Sequence, residues 1–116
     1  MVFIESRAFT RRLEELAGSA NSAVLDQIQR DLLKNPERGD LVQGLGGIRK
    51  ARASNPSRWK GKRGGFRYLF LYLQHRQHIH LLLLLDKKKQ VDLTNDERKV
   101  LRKLVEQIRQ ESRAKL

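Results

Sequence analysis

The chain has no cysteine among its 116 residues. Disulfide staples and thiolate chemistry are therefore excluded, which fits a reducing compartment. Long apolar runs are also missing: the longest, Tyr68 to Leu73 and Leu81 to Leu85, are far too short to cross a bilayer. The opening MVFIESRAF carries Glu5 and lacks the continuous apolar core of a signal peptide. The expected location is the cytoplasm, with no membrane partner. The most informative absence is of acid. Between Leu41 and Leu85 there is no Asp or Glu, while nine of the 25 Lys and Arg residues fall in that interval, eight of them from Arg49 to Arg67.

A carboxylate-free cationic stretch is suited to a polyanion, and RNA is the first candidate. The whole chain carries a net charge of +12 with a pI near 10.8, which disfavours self-association and favours nucleic acid, anionic lipid or an acidic neutralising protein. With 39% hydrophobic and 33% charged residues, the composition is that of a folded domain with a heavily charged face rather than a disordered tail. At this length residues 1–116 make one domain, able to bury roughly two thirds of its unfolded surface.

Local patterns predict the elements. Val2 to Glu5 reads as a short strand. Ser6 caps a helix from about Arg7 to Ala17 with Phe9, Leu13, Leu16 and Ala17 on one side, and Gly18 closes it. A second helix, about Ser22 to Lys34, carries Leu25, Ile28 and Leu32 and stops at Asn35 before Pro36. One extended piece is expected at Asp40 to Gln43, then a strand from Ile48 to Ala53 whose alternation puts Ile48, Lys50 and Arg52 on one face and Arg49 and Ala51 on the other. Ser54 to Gly65 is a twelve-residue loop with Trp59 and three glycines; loops this long are more often functional than idle. Phe66 to Leu73 is apolar on both faces, hence a central strand. A turn at Gln74 to Gln77 leads to a partner strand, Ile79 to Leu85. After the charged connector DKKKQVD, Thr94 and Glu97 form a capping box for a closing helix striped with Leu101, Leu104, Val105 and Ile108 and ending near Arg113. This order suggests an α+β domain: an antiparallel sheet with helices packed on one face.

If the two basic strands pair, Lys50, Arg52, Lys62, Arg63 and Arg67 converge, with Lys87 or Lys88 arriving from the next strand. Such a cluster can grip a phosphodiester and stabilise added charge on it. Cleavage needs a base for the 2'-hydroxyl, stabilisation of a more negative phosphorus, and an acid for the departing 5'-oxygen. Arginine suits the middle task, and a lysine whose pKa is lowered by neighbouring cations suits the proton transfers. No metal or other cofactor is needed. The competing reading is a solvated basic face that binds without cutting.

Four other features are weaker. His75, His78 and His80 lack a fourth ligand at metal-site spacing. The GLGG of Gly44 to Gly47 lacks the lysine-serine or lysine-threonine end of a phosphate loop. Trp59 and Tyr68 could stack on a base or simply pack. Arg98, Lys99, Arg102 and Lys103 on the closing helix raise membrane-surface binding, but the neighbouring acids and the capping box favour plain packing on the sheet.

The segments GLGGIRKARAS, GKRGGFRYLFLYL and DKKKQVDLTNDER together resemble the HigB-like branch of the RelE/ParE superfamily of type II toxin-antitoxin systems, across nearly the whole chain. The resemblance implies a RelE-like domain, an antiparallel or mixed sheet of four to five strands packed with an N-terminal helical hairpin and a C-terminal helix. It also implies a ribosome-dependent endoribonuclease that cuts mRNA in the ribosomal A site. By position, Lys50, Arg52, Arg67 and Lys87 would be catalytic, with Arg49, Lys60, Lys62, Arg63 and Lys88 holding RNA. Relatives often carry a tyrosine where this chain has Leu85, so an aromatic role there does not transfer. A cognate helix-turn-helix antitoxin is implied as partner, through which alone the toxin would meet operator DNA. A gyrase-inhibiting toxin of the same fold and a non-catalytic RNA-binding module remain the alternatives.

Overall fold

The computed structural model describes residues 1–53, 66–86 and 93–114. Its elements follow the order β1 (Val2–Glu5), α1 (Arg7–Ala17), α2 (Asn21–Lys34), β2 (Asp40–Leu41), β3 (Arg49–Arg52), β4 (Phe66–Leu73), β5 (His78–Asp86) and α3 (Asn95–Ala114). Short 3₁₀ turns join α1 to α2 and β4 to β5. The five strands form one sheet in the order β1-β5-β4-β3-β2.

The sheet is mixed. β2, β3, β4 and β5 pair antiparallel, whereas β1 lies parallel to β5 at the edge, with Phe3 beside Ile79 and Ile4 beside His80. The expected placement of the helices on one face is corrected here, because they take both. On one side α1 and α2 press Phe9, Leu13, Val24, Ile28 and Leu32 against Phe66, Tyr68, Phe70, Ile79, Leu81 and Leu84. On the other, α3 presses Leu101, Val105 and Ile108 against Ile48, Leu69, Leu71, Leu73 and Leu82. The physical reason lies in β4 and β5, which are apolar on both faces and so need a cover on each side.

Local chemistry sets the element ends. The Ser6 hydroxyl accepts the Phe9 N–H at 3.0 Å, capping α1, and donates to the Leu82 carbonyl at 2.7 Å. Leu82 marks a bulge: the β4–β5 register jumps from Leu69 opposite Leu83 to Phe70 opposite Leu81. An extra residue on one strand lets Leu82 and Leu83 both face α3. At α3 the Thr94 N–H donates to Glu97 Oε1 at 2.9 Å and the Glu97 N–H to Thr94 Oγ1 at 3.1 Å, the reciprocal capping box expected from the residues. Among the described residues no helix is long and apolar enough to cross a membrane.

Candidate RNA-binding face

The β3–β4 pairing settles where the basic side chains stand. Ala53 N–H donates to the Phe66 carbonyl at 2.7 Å, so the neighbouring opposed pair, Arg52 with Arg67, is of the non-hydrogen-bonded kind. Such pairs bring their Cα atoms to about 4.5 Å and their side chains closest together. Lys50 faces Leu69 one step along the same face and is therefore the diagonal neighbour of Arg67. Lys50 and Arg52 are exposed, and Arg67 is half-buried. The next partner of Arg67 across the sheet is Leu85, so the row Arg52, Arg67, Leu85 crosses three strands.

This face is shared with α3, whose apolar stripe covers the more distant rows holding Leu71 and Leu73. Among the described residues, no hydrogen bond or ion pair engages the side chain of Lys50, Arg52 or Arg67. Asp40 stands opposite Lys50 across β2–β3, but the two form no ion pair. Like charges set directly opposite one another destabilise a sheet. An Arg–Arg pair kept without a carboxylate partner is thus a concentrated positive site that a phosphate would relieve.

Arg49 stands on the other face, paired with Phe70, and its Nη1 donates to the Gly39 carbonyl at 3.2 Å. It is separated from the Lys50–Arg52–Arg67 cluster by the sheet itself. Lys60, Lys62, Arg63, Lys87, Lys88 and Trp59 lie outside the described residues. Tyr68 is wholly buried under α1 and α2, so it packs and presents no ring to a base. Burial pushes its hydroxyl well above the ordinary tyrosine range, with Arg38 pulling the value down and Asp31 pushing it up.

Residue patterns alone did not expose the network behind that tyrosine. Asp31 is almost fully buried, accepts from Gln27 Nε2 at 2.9 Å and pairs with Arg38 at 3.0 Å. Arg38 Nη2 also donates to the Arg52 carbonyl at 3.0 Å. The signal was present: Asp31 sits beside Leu32 on the Val24–Ile28 stripe of α2, and a carboxylate on an apolar stripe calls for a buried partner.

The glycine loop before β3 is structural. Leu45 is fully buried, Arg98 donates to the Gln43 carbonyl, and Arg109 donates to the Gly46 carbonyl at 2.7 Å, so two arginines of α3 tie the helix to the loop. Gly47 has φ +110°, and a Cβ there would fall 2.6 Å from the Arg109 guanidinium. At the far end of β5, His78 and His80 share a face with their rings 6.4 Å apart. Burial chiefly, and then His78, lower the His80 pKa, while Glu111 raises it. Among the described residues no group of three or more His, Cys, Asp or Glu is placed to hold a metal.

No family model matches the chain. Solved structures do. A mutant of E. coli toxin RelE in the free state superposes with a TM-score of 0.54 at 9% identity, over 77% of this chain and 85% of that one. The isolated E. coli RelE toxin gives 0.52 at 8% identity, over 89% and 97%. The intact E. coli RelBE toxin-antitoxin complex gives 0.51 at 9%, over 73% and 94%. At these identities the likeness is one of backbone architecture: this chain has the α+β fold of the RelE toxin.

Proposed function

We propose that the protein is the toxin of a type II toxin-antitoxin system, of the HigB-like kind, and acts as a metal-independent, ribosome-dependent mRNA endoribonuclease. The observation that carries this reading is the Arg52–Arg67 cross-strand pair, without a carboxylate partner among the described residues, with Lys50 on its diagonal. Two guanidiniums side by side can hold the non-bridging oxygens of one phosphodiester and stabilise the charge that builds as the 2'-hydroxyl attacks. Lys50, an ammonium at the rim of the same site, is the candidate for proton transfer, with Lys87 as its counterpart. Arg67 is flanked on the β5 side by Leu85, so the attacking nucleotide is positioned by charge there and not by an aromatic ring. Lys60, Lys62, Arg63 and Lys88 would hold the flanking RNA strand.

The fold shared with the E. coli RelE toxin and with the toxin of the RelBE complex supports the assignment. A cognate antitoxin follows as partner, and a net charge of +12 suits an acidic one. Induced expression is expected to arrest growth with mRNA cut at ribosome-occupied codons, read by mapping mRNA ends. Arg67→Ala should restore growth while the protein stays folded. Growth arrest unchanged by Arg67→Ala combined with Lys50→Ala would remove the cationic cluster from the mechanism, and DNA-damage signalling with intact mRNA would redirect the reading to gyrase.

A further inference from the structure

Strand β2 is only two residues long, Asp40 and Leu41, paired with Lys50 and Arg49. Continuing that register by two residues would set residue 38 beside Arg52, but the backbone does not follow. Gly39 has φ +79°, and a Cβ there would fall 2.2 Å from the Lys50 carbonyl oxygen, so the chain makes its turn at this contact. Residues 53 and 66 bond on the β4 side. By strand alternation the Arg52 carbonyl then points the other way, toward the place where β2 has ended. An orphan carbonyl at a strand end is ordinarily left to water or to a side chain. Here the Arg38 guanidinium fills it: Nη2 donates to the Arg52 carbonyl while Nη1 holds Asp31 Oδ2, each at 3.0 Å. The Asp31 carboxylate is itself fixed by Gln27, and its side chain is only 6% exposed.

We infer that Arg38 is a positioning residue for Arg52: its planar fork links a carboxylate buried in α2 to the last ladder carbonyl of β3, and so holds the Arg52–Arg67 pair in register at the phosphate. This rests on the proposed nuclease function. The bridge supplies what the sheet does not, since on the β2 side no strand pairs with β3 at Arg52. The guanidinium spans the two acceptors with separate nitrogens diverging in one rigid plane, whereas a lysine ammonium presents all three of its donors from a single, shorter-reaching nitrogen and has no such fork. Arg38 lies on the α1–α2 side of the sheet, where it also reaches the field of the buried Tyr68 hydroxyl. Its action on the opposite face passes through the Arg52 backbone.

The test is a double-mutant cycle on the full chain with Arg38→Lys, Arg52→Ala and the two combined. It is read as cleavage of mRNA on programmed ribosomes and as the urea midpoint of each variant. Arg38→Lys retains the pair with Asp31, so the midpoint should stay near that of the parent protein. Cleavage should nevertheless fall on the order of tenfold to a hundredfold, as small misplacements of a reacting group do. In the Arg52→Ala background the same substitution should change cleavage by less than about twofold, because residues acting as a unit are not additive. An equal loss in both backgrounds, or no loss in either, overturns the inference. A second arm needs no substrate: the NMR order parameter of Arg52 Nε in the free protein should drop in Arg38→Lys while that of Arg67 holds. If the parent protein itself does not cleave mRNA on programmed ribosomes, the nuclease reading has failed. The order parameter then decides alone, and an unchanged Arg52 value overturns the positioning role.

Discussion

Removing a charge from the candidate site should make the protein more stable. Arg52 and Arg67 are directly opposed, with no carboxylate partner among the described residues. At a separation of about 6 Å in a solvated setting, two like charges repel by about 0.7 kcal/mol, within the 0.2–1 kcal/mol or so typical of cross-strand pairs. Arg67→Gln keeps most of the side-chain length and deletes the charge. It is therefore expected to add roughly 0.5–1 kcal/mol and to raise Tm by about 2–6 °C for a domain of this size. Urea unfolding at low salt, repeated at 1 M NaCl where the screening length is about 3 Å, separates the causes: the gain should shrink sharply with salt. Arg52→Gln should give a similar gain, and the double variant little more than either, because one repulsion can be relieved only once. A loss of about 1 kcal/mol or more in Arg67→Gln, or a gain indifferent to salt, would refute the argument that this pair is held against its own electrostatics.

Two further outcomes follow from the packing. Ser6→Ala removes both the cap of α1 and the donor to Leu82, so urea unfolding should report a loss of about 1–2 kcal/mol, whereas Ser6→Asp, which can still cap, should lose less. His80 is held below its ordinary value of 6.5, so the unfolded chain binds more protons than the folded one between the folded pKa and 6.5. Stability should fall as pH drops through 6.5 and level off below the folded value; His80→Leu should flatten that dependence in urea midpoints taken from pH 7.5 to 5.

Most of the fold was legible because its signals are local. Ser6, Gly18, Asn35 before Pro36, and Thr94 with Glu97 mark helix ends by chemistry that needs no distant partner. Accordingly α1 runs from Arg7 to Ala17 and β4 from Phe66 to Leu73, the bounds the patterns predict. The parallel pairing of β1 with β5 was not legible, since nothing in Val2–Glu5 names its partner. Nor was the two-sided arrangement of helices read from the element order, although both faces of Phe66–Leu73 are apolar. The site divides in the same way. Alternation put Lys50 and Arg52 on one face, but their alignment with Arg67 depends on the register of β3 with β4. The Asp31–Arg38 bridge joins a helix to a loop and a strand end, a tertiary contact invisible to any periodicity.

The edge strand β1 has a consequence for how the chain is made. It is formed from residues 2–5, yet its neighbour among the described residues, β5, is formed from residues 78–86. During synthesis β1 must therefore wait for its partner until the chain through β5 has emerged, and such long-range closure is a slow step. The basic hairpin of β3 and β4 emerges earlier, but its α1–α2 cover shares a core with β5. Completion of the cationic face is thereby tied to the arrival of β5, after the strands of the hairpin itself have been made.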